Sequence, residues 1–284
     1  MKFRLYREYG ALNSTSVFDA FEQGIHALGH QITKGEDGIP VIWSVLWQGR
    51  MLSNRQIYLN AMAKNKPIVI IEIGNLKRGT TWRISLNNIN NLGIFSNSVD
   101  LDSSRPGKLG INLLPNNKNR RADILIAAQH EKSLQWHNQP NMAAWINGKI
   151  SEIRRYTNRN ILVRPHPRSP IGGIISNAKV WQPIKIPNSY DDFDIDYNYH
   201  CVVNYNSGPA VQAAIKGVPI ICDTSSLASE LSGTIENIEN IILPDREDWF
   251  LKLCHTEWLV DEIAKGIPLK RLELSIENLM KNNS

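Results

Sequence analysis

Tyr-His-Cys-Val-Val-Asn-Tyr-Asn-Ser-Gly-Pro-Ala-Val-Gln-Ala-Ala-Ile-Lys-Gly-Val-Pro-Ile-Ile-Cys-Asp, residues 199–223, reads as strand, turn, helix, turn, strand. Cys201-Val202-Val203 is a short apolar run of the kind buried on both faces of a sheet. Asn206-Ser207 offers a side-chain cap for the helix that follows. Pro209 falls in the first turn, where a missing N–H leaves no bond unmade. Val211, Ala214 and Ile215 share one apolar helix face, and Gly217 is a fitting stop. Val218 to Cys222 reads as the next strand. A β-α-β unit of this length implies a parallel sheet. Its turn, Asn206-Ser207-Gly208, places backbone N–H groups, a hydroxyl and a helix N-terminus at the carboxyl end of a strand. That is where open α/β sheets bind ligands and where an anion is favoured.

Upstream, strands and helices alternate in two runs. Phe3 to Tyr6 is a strand, and Ser16 caps a helix carrying Val17, Phe18, Phe21 and Ile25 before Gly29. Ile39 to Trp47 and Pro67 to Gly74 are further strands, with a helix over 54–64 between them. Residues 75–121 are rich in Asn, Gly, Ser, Lys and Arg and read as a long polar segment ending at a domain boundary. Alternation restarts with a strand over 123–128, a helix over 141–156 and a strand over 160–164. Short helices are expected near 246–254 and 257–265, and a last one from about Leu269. The fold class is therefore α/β, built from two Rossmann-like halves: 1–121, 122–265, and a C-terminal helix over 266–284 that crosses back to the first half.

Composition agrees with an ordinary globular chain. Of 284 residues, 42% are hydrophobic and 21% charged, enough apolar surface for a sizeable core. Cys201, Cys222 and Cys254 have no metal-ligand spacing and read as core thiols of a reducing, cytoplasmic compartment, host cytoplasm in a viral setting. The first residues are too charged for a signal peptide, and no apolar run approaches the ~20 residues of a membrane span. A net charge of +5 permits a polyanionic partner. Trp82, Trp136, Trp145 and Trp181 sit beside polar or basic residues and are candidate ligand platforms. The chain is silent on oligomeric state.

Four loops of the second half follow successive strands and would converge at one edge of a parallel sheet. Gln129-His130-Glu131-Lys132-Ser133 offers a lysine and hydroxyl. Arg164-Pro165-His166-Pro167 offers a guanidinium and an imidazole on a stiffened loop. Asn206-Ser207-Gly208, with Gln212 a turn further on, offers the helix cap, and Ser225-Ser226 follow the strand ending at Asp223. Together these groups suit a phosphate or diphosphate. Asp192-Phe-Asp194-Ile-Asp196 reads as a solvated acidic loop, and no metal site is expected.

Arg-Pro-His-Pro, followed by Asn-Ser-Gly-Pro, Gly-Val-Pro-Ile-Ile and Ser-Ser, resembles a glycosyltransferase of the two-domain GT-B fold, whose halves face each other across a cleft. The His-Pro pair at 166–167, Ser207 and the pair at 225–226 are similar to the motifs with which bacterial CMP-sugar sialyl- and Kdo-transferases of capsule synthesis hold the donor. The resemblance covers roughly residues 123–226. It implies an enzyme that needs no cofactor or metal and takes a UDP- or CMP-linked sugar. Gln129, His130, Lys132, Ser133, Arg164, His166, Asn206, Ser207, Gly208, Gln212, Ser225 and Ser226 would bind the donor in the second half. The first half would bind the acceptor and supply a general base, with Glu8 preferred over Asp19 and Glu72. Phage enzymes that glycosylate DNA share this fold. The basic run with Lys77, Arg78, Trp82 and Arg83 then points to a hydroxymethylated base in double-stranded DNA as acceptor. A capsule or other glycan is the alternative. A non-catalytic nucleic-acid or glycan binding module and a nucleotide-sugar epimerase are the other readings.

Overall fold

The computed structural model describes residues 1–183 and 195–282; Asp192 and Asp194 lie outside the described residues. In chain order the elements are β1 (Lys2–Leu5), α1 (Thr15–Ala27), β2 (Gln31–Ile32), β3 (Ile39–Trp43), α2 (Asn54–Ala63), β4 (Val69–Ile73), β5 (Trp82–Leu86) and α3 (Arg105–Leu109). They continue with β6 (Ile124–Ala127), α4 (Met142–Ile153), β7 (Ile161–Arg164), β8 (Lys179–Val180), β9 (Cys201–Asn204), α5 (Gly208–Ile215) and β10 (Ile220–Ile221). The chain ends with α6 (Glu247–Cys254), β11 (Glu257–Trp258), α7 (Val260–Ala264) and α8 (Ile267–Lys281). This mixed α/β chain divides into two units. Unit 1 is Met1–Arg105, Lys132–Leu134 and Lys252–Ser284; unit 2 is Pro106–Glu131 and Gln135–Leu251. The junctions therefore fall inside α3 and α6, whereas the sequence suggested divisions after residues 121 and 265.

Unit 1 holds a six-stranded sheet in the order β11-β5-β4-β3-β1-β2. β2, β1, β3 and β4 are parallel, while β5 runs antiparallel to both β4 and β11. β3 and β4 are central, and Val41, Ile42, Val69, Ile70 and Ile71 are wholly buried, as their β-branched runs require. Each such side chain contributes roughly 1.5–3 kcal/mol by leaving water. α1 buries Val17, Phe18, Phe21 and Ile25, the face its spacing predicts. It starts one residue before Ser16, with Ser14 in the N-cap position and no side-chain cap bond.

Two expectations for this unit fail for physical reasons. The apolar run Ile39–Trp47 is not one strand. β3 ends at Trp43 because Ser44 adopts φ 62°, which turns the backbone out of the sheet. The basic run before residue 84 is not all loop. Trp82 and Arg83 open β5 and are 3% and 7% exposed. Trp82 packs on Trp43 at 5.3 Å between ring centroids. Arg83 donates to the carbonyls of Ile89 at 2.6 Å and Ile73 at 3.2 Å.

Unit 2 holds a five-stranded sheet in the order β10-β9-β6-β7-β8, parallel throughout. Its core joins Ile124, Ile126, Val163 and Val203 from the strands to Ile146, Ile150 and Ile153 from α4. The opening stretch forms β9, α5 and β10 as its pattern predicts, with β10 shortened to two residues. Gly217 ends this helix at φ 75°, and a Cβ there would lie 2.0 Å from the Pro115 carbonyl oxygen, so no other residue fits.

Candidate functional site

The last paired residues of three adjacent unit 2 strands, Arg164, Ala127 and Asn204, lie side by side in the register. The loops beyond them form the candidate site. Asn204 anchors the β9 loop: its side-chain amide donates to the Ala127 carbonyl at 2.8 Å and to Ser207 Oγ at 2.9 Å, and its Oδ1 accepts the Ser207 N–H at 2.9 Å. Ser207 is thus the N-cap residue of α5, yet its side chain makes no cap bond. Its hydroxyl is held by the strand, which leaves the helix N-terminus without the usual side-chain acceptor.

Asn206 links three loops. Its N–H donates to Gln129 Oε1 at 3.3 Å, and its Nδ2 donates to Ser225 Oγ at 2.8 Å and Gln135 Oε1 at 3.3 Å. The amide orientation follows from Ser225, whose own hydroxyl proton goes to Asp223 Oδ1 at 2.5 Å. Asn206 Oδ1 is left buried with no partner among the described residues, an acceptor that a ligand hydroxyl or amine could satisfy.

His130 and His166 meet edge to face, 5.0 Å between ring centroids. His166 Nδ1 accepts the backbone N–H of Arg168 at 3.1 Å. A neutral His166 ring therefore carries its proton on Nε2 and presents a donor there. Beside this network lies an aromatic group. Trp136 contacts Trp145 at 5.5 Å and Tyr205 at 5.1 Å, both edge-on. Burial and then the Asp223 carboxylate push the Tyr205 phenol up, partly offset by a hydrogen bond with Ser225, so the hydroxyl stays neutral.

The expected donor residues separate into groups. Gln129, His130, His166, Asn206, Ser207, Gly208 and Ser225 share the loop edge of unit 2. Arg164 is there too but only 1% exposed, so it acts as a buried charge and not as a surface contact. Ser226 is wholly buried and accepts the Ala228 N–H at 3.2 Å, which makes it a turn former. Gln212 lies in the body of α5. Lys132 and Ser133 belong to unit 1, where the Lys132 carbonyl accepts the Trp47 N–H at 3.3 Å and Ser133 bridges Leu46.

The three candidate bases are also resolved. Asp19 is exposed and bonded to Arg7 at 2.6 Å, in a surface cluster that includes Glu22. Glu8 is exposed on the 3₁₀ turn Arg7–Tyr9, with no hydrogen-bond or ion-pair partner for its carboxylate among the described residues. Glu72 is half-buried near the carboxyl end of β4 and held at both oxygens: Oε2 accepts from Ser44 Oγ at 2.6 Å and Oε1 from the Ile73 N–H at 2.9 Å. Of the three, Glu72 is the carboxylate that the described hydrogen bonds hold in place, and positioning is one requirement of a base.

Of the residues expected at the acceptor, two are buried and two lie in a loop. Trp82 and Arg83 are core residues of unit 1. Lys77 and Arg78 remain in a loop of that unit, tied down by Glu257, which is wholly buried and accepts from the N–H groups of Asn75 and Leu76 and from Thr81 Oγ1. Asn204, Asp223, Glu257 and Ser44 were not visible as site or support residues in the sequence, because each acts through a partner distant in the chain or through a backbone angle. Among the described residues no helix is long and apolar enough to cross a membrane, and no group of three His, Cys, Asp or Glu side chains could hold a metal ion.

No protein-family model matches the chain, and no curated protein matches it in sequence. Solved structures do. The beta Kdo 2,7 transferase of Thermosulfurimonas dismutans KpsC aligns over 95% of this chain and 99% of its own, with a TM-score of 0.53 and 14% identity. The beta Kdo 2,4 transferase of the same KpsC aligns over 88% and 89%, with a TM-score of 0.51 and 11% identity. The shared property is the fold. It extends over nearly the whole of both chains, so the α/β arrangement is that of these glycosyltransferases.

Proposed function

We propose that the protein is a glycosyltransferase of the GT-B type that moves a sugar from a nucleotide donor to a hydroxyl of a glycan. The observation that carries this reading is the edge of the unit 2 sheet, where His130, His166, Asn206, Ser207 and Ser225 converge with the N-terminus of α5. The N-terminus of α5, which has no side-chain cap bond, suits the phosphate of a nucleotide sugar, whose leaving group gains charge as the glycosidic bond breaks. The Tyr205 and Trp145 rings are flat apolar surfaces beside this network and suit the nucleobase. A CMP-linked acid sugar is the donor this reading favours over a UDP-linked one. Its support is the similarity of the His-Pro, Ser207 and Ser-Ser motifs to CMP-sugar enzymes, together with the shared fold of two Kdo transferases.

Unit 1 binds the acceptor in this reading, and Glu72 takes the proton of the attacking hydroxyl. A glycan replaces DNA as acceptor because two of the residues that motivated DNA, Trp82 and Arg83, are committed to the core. Calorimetric titration with CMP, UDP and GDP tests the donor side, followed by mass spectrometry of CMP-Kdo incubated with the protein. Binding of CMP and release of Kdo are expected. A folded protein that binds no nucleotide would overturn the reading.

A further inference from the structure

Ser44 holds φ at 62° while only 3% exposed. Eight described residues other than glycine have positive φ, and five of them are Asn or Asp, which tolerate that region. A serine there is strained, and strain of this kind persists only where the surroundings over-determine it. They do so here. The Ser44 N–H donates to the Ile71 carbonyl at 2.8 Å, the Leu134 N–H to the Val45 carbonyl at 3.0 Å, and the Trp47 N–H to the Lys132 carbonyl at 3.3 Å. The turn is thus fastened to β4 on one side and to Lys132–Leu134 on the other, all within unit 1.

The strained turn has one chemical consequence. It aims Ser44 Oγ at Glu72 Oε2, 2.6 Å away, while the same oxygen accepts the Leu46 N–H at 3.0 Å. With its lone pair engaged by Leu46, the hydroxyl proton goes to the carboxylate. An extended Ser44 would continue β3 and lose this aim.

We propose that Ser44 is a positioning residue for Glu72, and that the left-handed turn is retained to hold its carboxylate in a fixed orientation for the acceptor hydroxyl. This rests on the transferase reading given above. During transfer the acceptor O–H proton passes to Glu72, the acceptor oxygen bonds the anomeric carbon, and the bond from that carbon to its leaving group breaks with its electron pair. A carboxylate free to rotate would meet the hydroxyl in a productive geometry less often.

The test compares Ser44→Ala, Ser44→Gly and Glu72→Gln in the full chain, with CMP-Kdo turnover and thermal unfolding as readouts. Alanine and glycine both remove the hydroxyl, but only glycine relieves the strain. Both should lower kcat about 10- to 100-fold with the donor KM unchanged, the size of one charged hydrogen bond. Glu72→Gln should cost ~100-fold or more. Ser44→Gly should melt about 2–4 °C above Ser44→Ala. Serine variants that keep kcat within twofold, or lose it only in step with a raised KM, would overturn the proposal. So would equal melting temperatures, a result readable without any activity. Wild-type protein that turns over no nucleotide sugar would instead sink the transferase reading.

Discussion

Substituting His166 in three ways separates its position from its chemistry. Nδ1 is engaged by the Arg168 N–H at 3.1 Å, and the ring leans on His130 at 5.0 Å. The ring nitrogen that carries the proton is therefore Nε2, the one the transferase reading assigns to the phosphate. A hydrogen bond to a charged group contributes about 1.5–3 kcal/mol, so His166→Ala should weaken CMP binding about 10- to 150-fold. Asparagine reaches as far as Nδ1 and can still accept from Arg168, but it has nothing at the Nε2 position. Glutamine places its amide nitrogen near Nε2 and forgoes the Arg168 bond. His166→Gln should accordingly recover part of the affinity, and His166→Asn should bind like alanine. Titration calorimetry with CMP at fixed pH reads the difference. Folding should change little, since residue 166 sits in a loop and is only half-buried. If the asparagine variant binds as well as wild type and the glutamine variant does not, Nδ1 is the working nitrogen and the assignment is wrong.

Five further outcomes follow from the structure. Glu257→Gln should cost about 3 kcal/mol in urea denaturation, because it leaves Arg83, 4.0 Å away and also buried, without its carboxylate. An unchanged midpoint would show that the loop 75–81 is held by other means. Burial depresses His200, with Arg159 and Arg120 adding to it and the Ile238 carbonyl opposing it. A depressed histidine contributes stability above its unfolded value of 6.5 that is lost as pH falls from there, so unfolding midpoints should drop below pH 6.5 and His200→Gln should flatten that limb. Cys201, pushed up to about 12 by burial, works in the opposite direction: its stability is full below 9.0, its unfolded value, and fades as pH rises toward 12, which denaturation between pH 8 and 11 reads. Trp82→Ala should destabilise by about 3–5 kcal/mol as a core truncation. Wild-type protein should give no salt-dependent gel shift with duplex DNA between ~50 and ~200 mM salt, the range in which phosphate contacts would show themselves.

Much of unit 2 is legible in the sequence because its signals are local. Cys201–Val203, Gly208–Ile215 and Gly217 each state their structure through residue type and spacing, and the parallel pairing of β9 with β10 follows from a short helical connection. The loop edge is legible for the same reason: a residue just past a strand is at the edge wherever the sheet goes. Which of those residues face a ligand is not local. Ser225 and Ser226 are neighbours in sequence, yet Ser225 joins Asn206 and Asp223 while Ser226 turns inward to receive Ala228.

Unit 1 is less legible because its polar residues are decided by distant partners. Arg83 reads as solvated beside Lys77 and Arg78, since nothing nearby in sequence neutralises it. Its counter-charge, Glu257, sits on β11, and the Asn75 bond to Glu257 spans 182 positions. Only when β11 pairs with β5 does an arginine in the core become less costly than one outside it. Ser44 conceals more, because its neighbours Ile42, Trp43, Val45 and Leu46 continue a strand pattern through it without a break. A positive φ at a serine is written in no side chain. It exists because β4 and Lys132–Leu134 grip the turn, and what the grip secures is the aim of one hydroxyl at Glu72. A carboxylate chosen from sequence by its place after a strand would be Glu8. A carboxylate chosen by what holds it still is Glu72, and the proposal that it takes the acceptor proton rests on that second criterion.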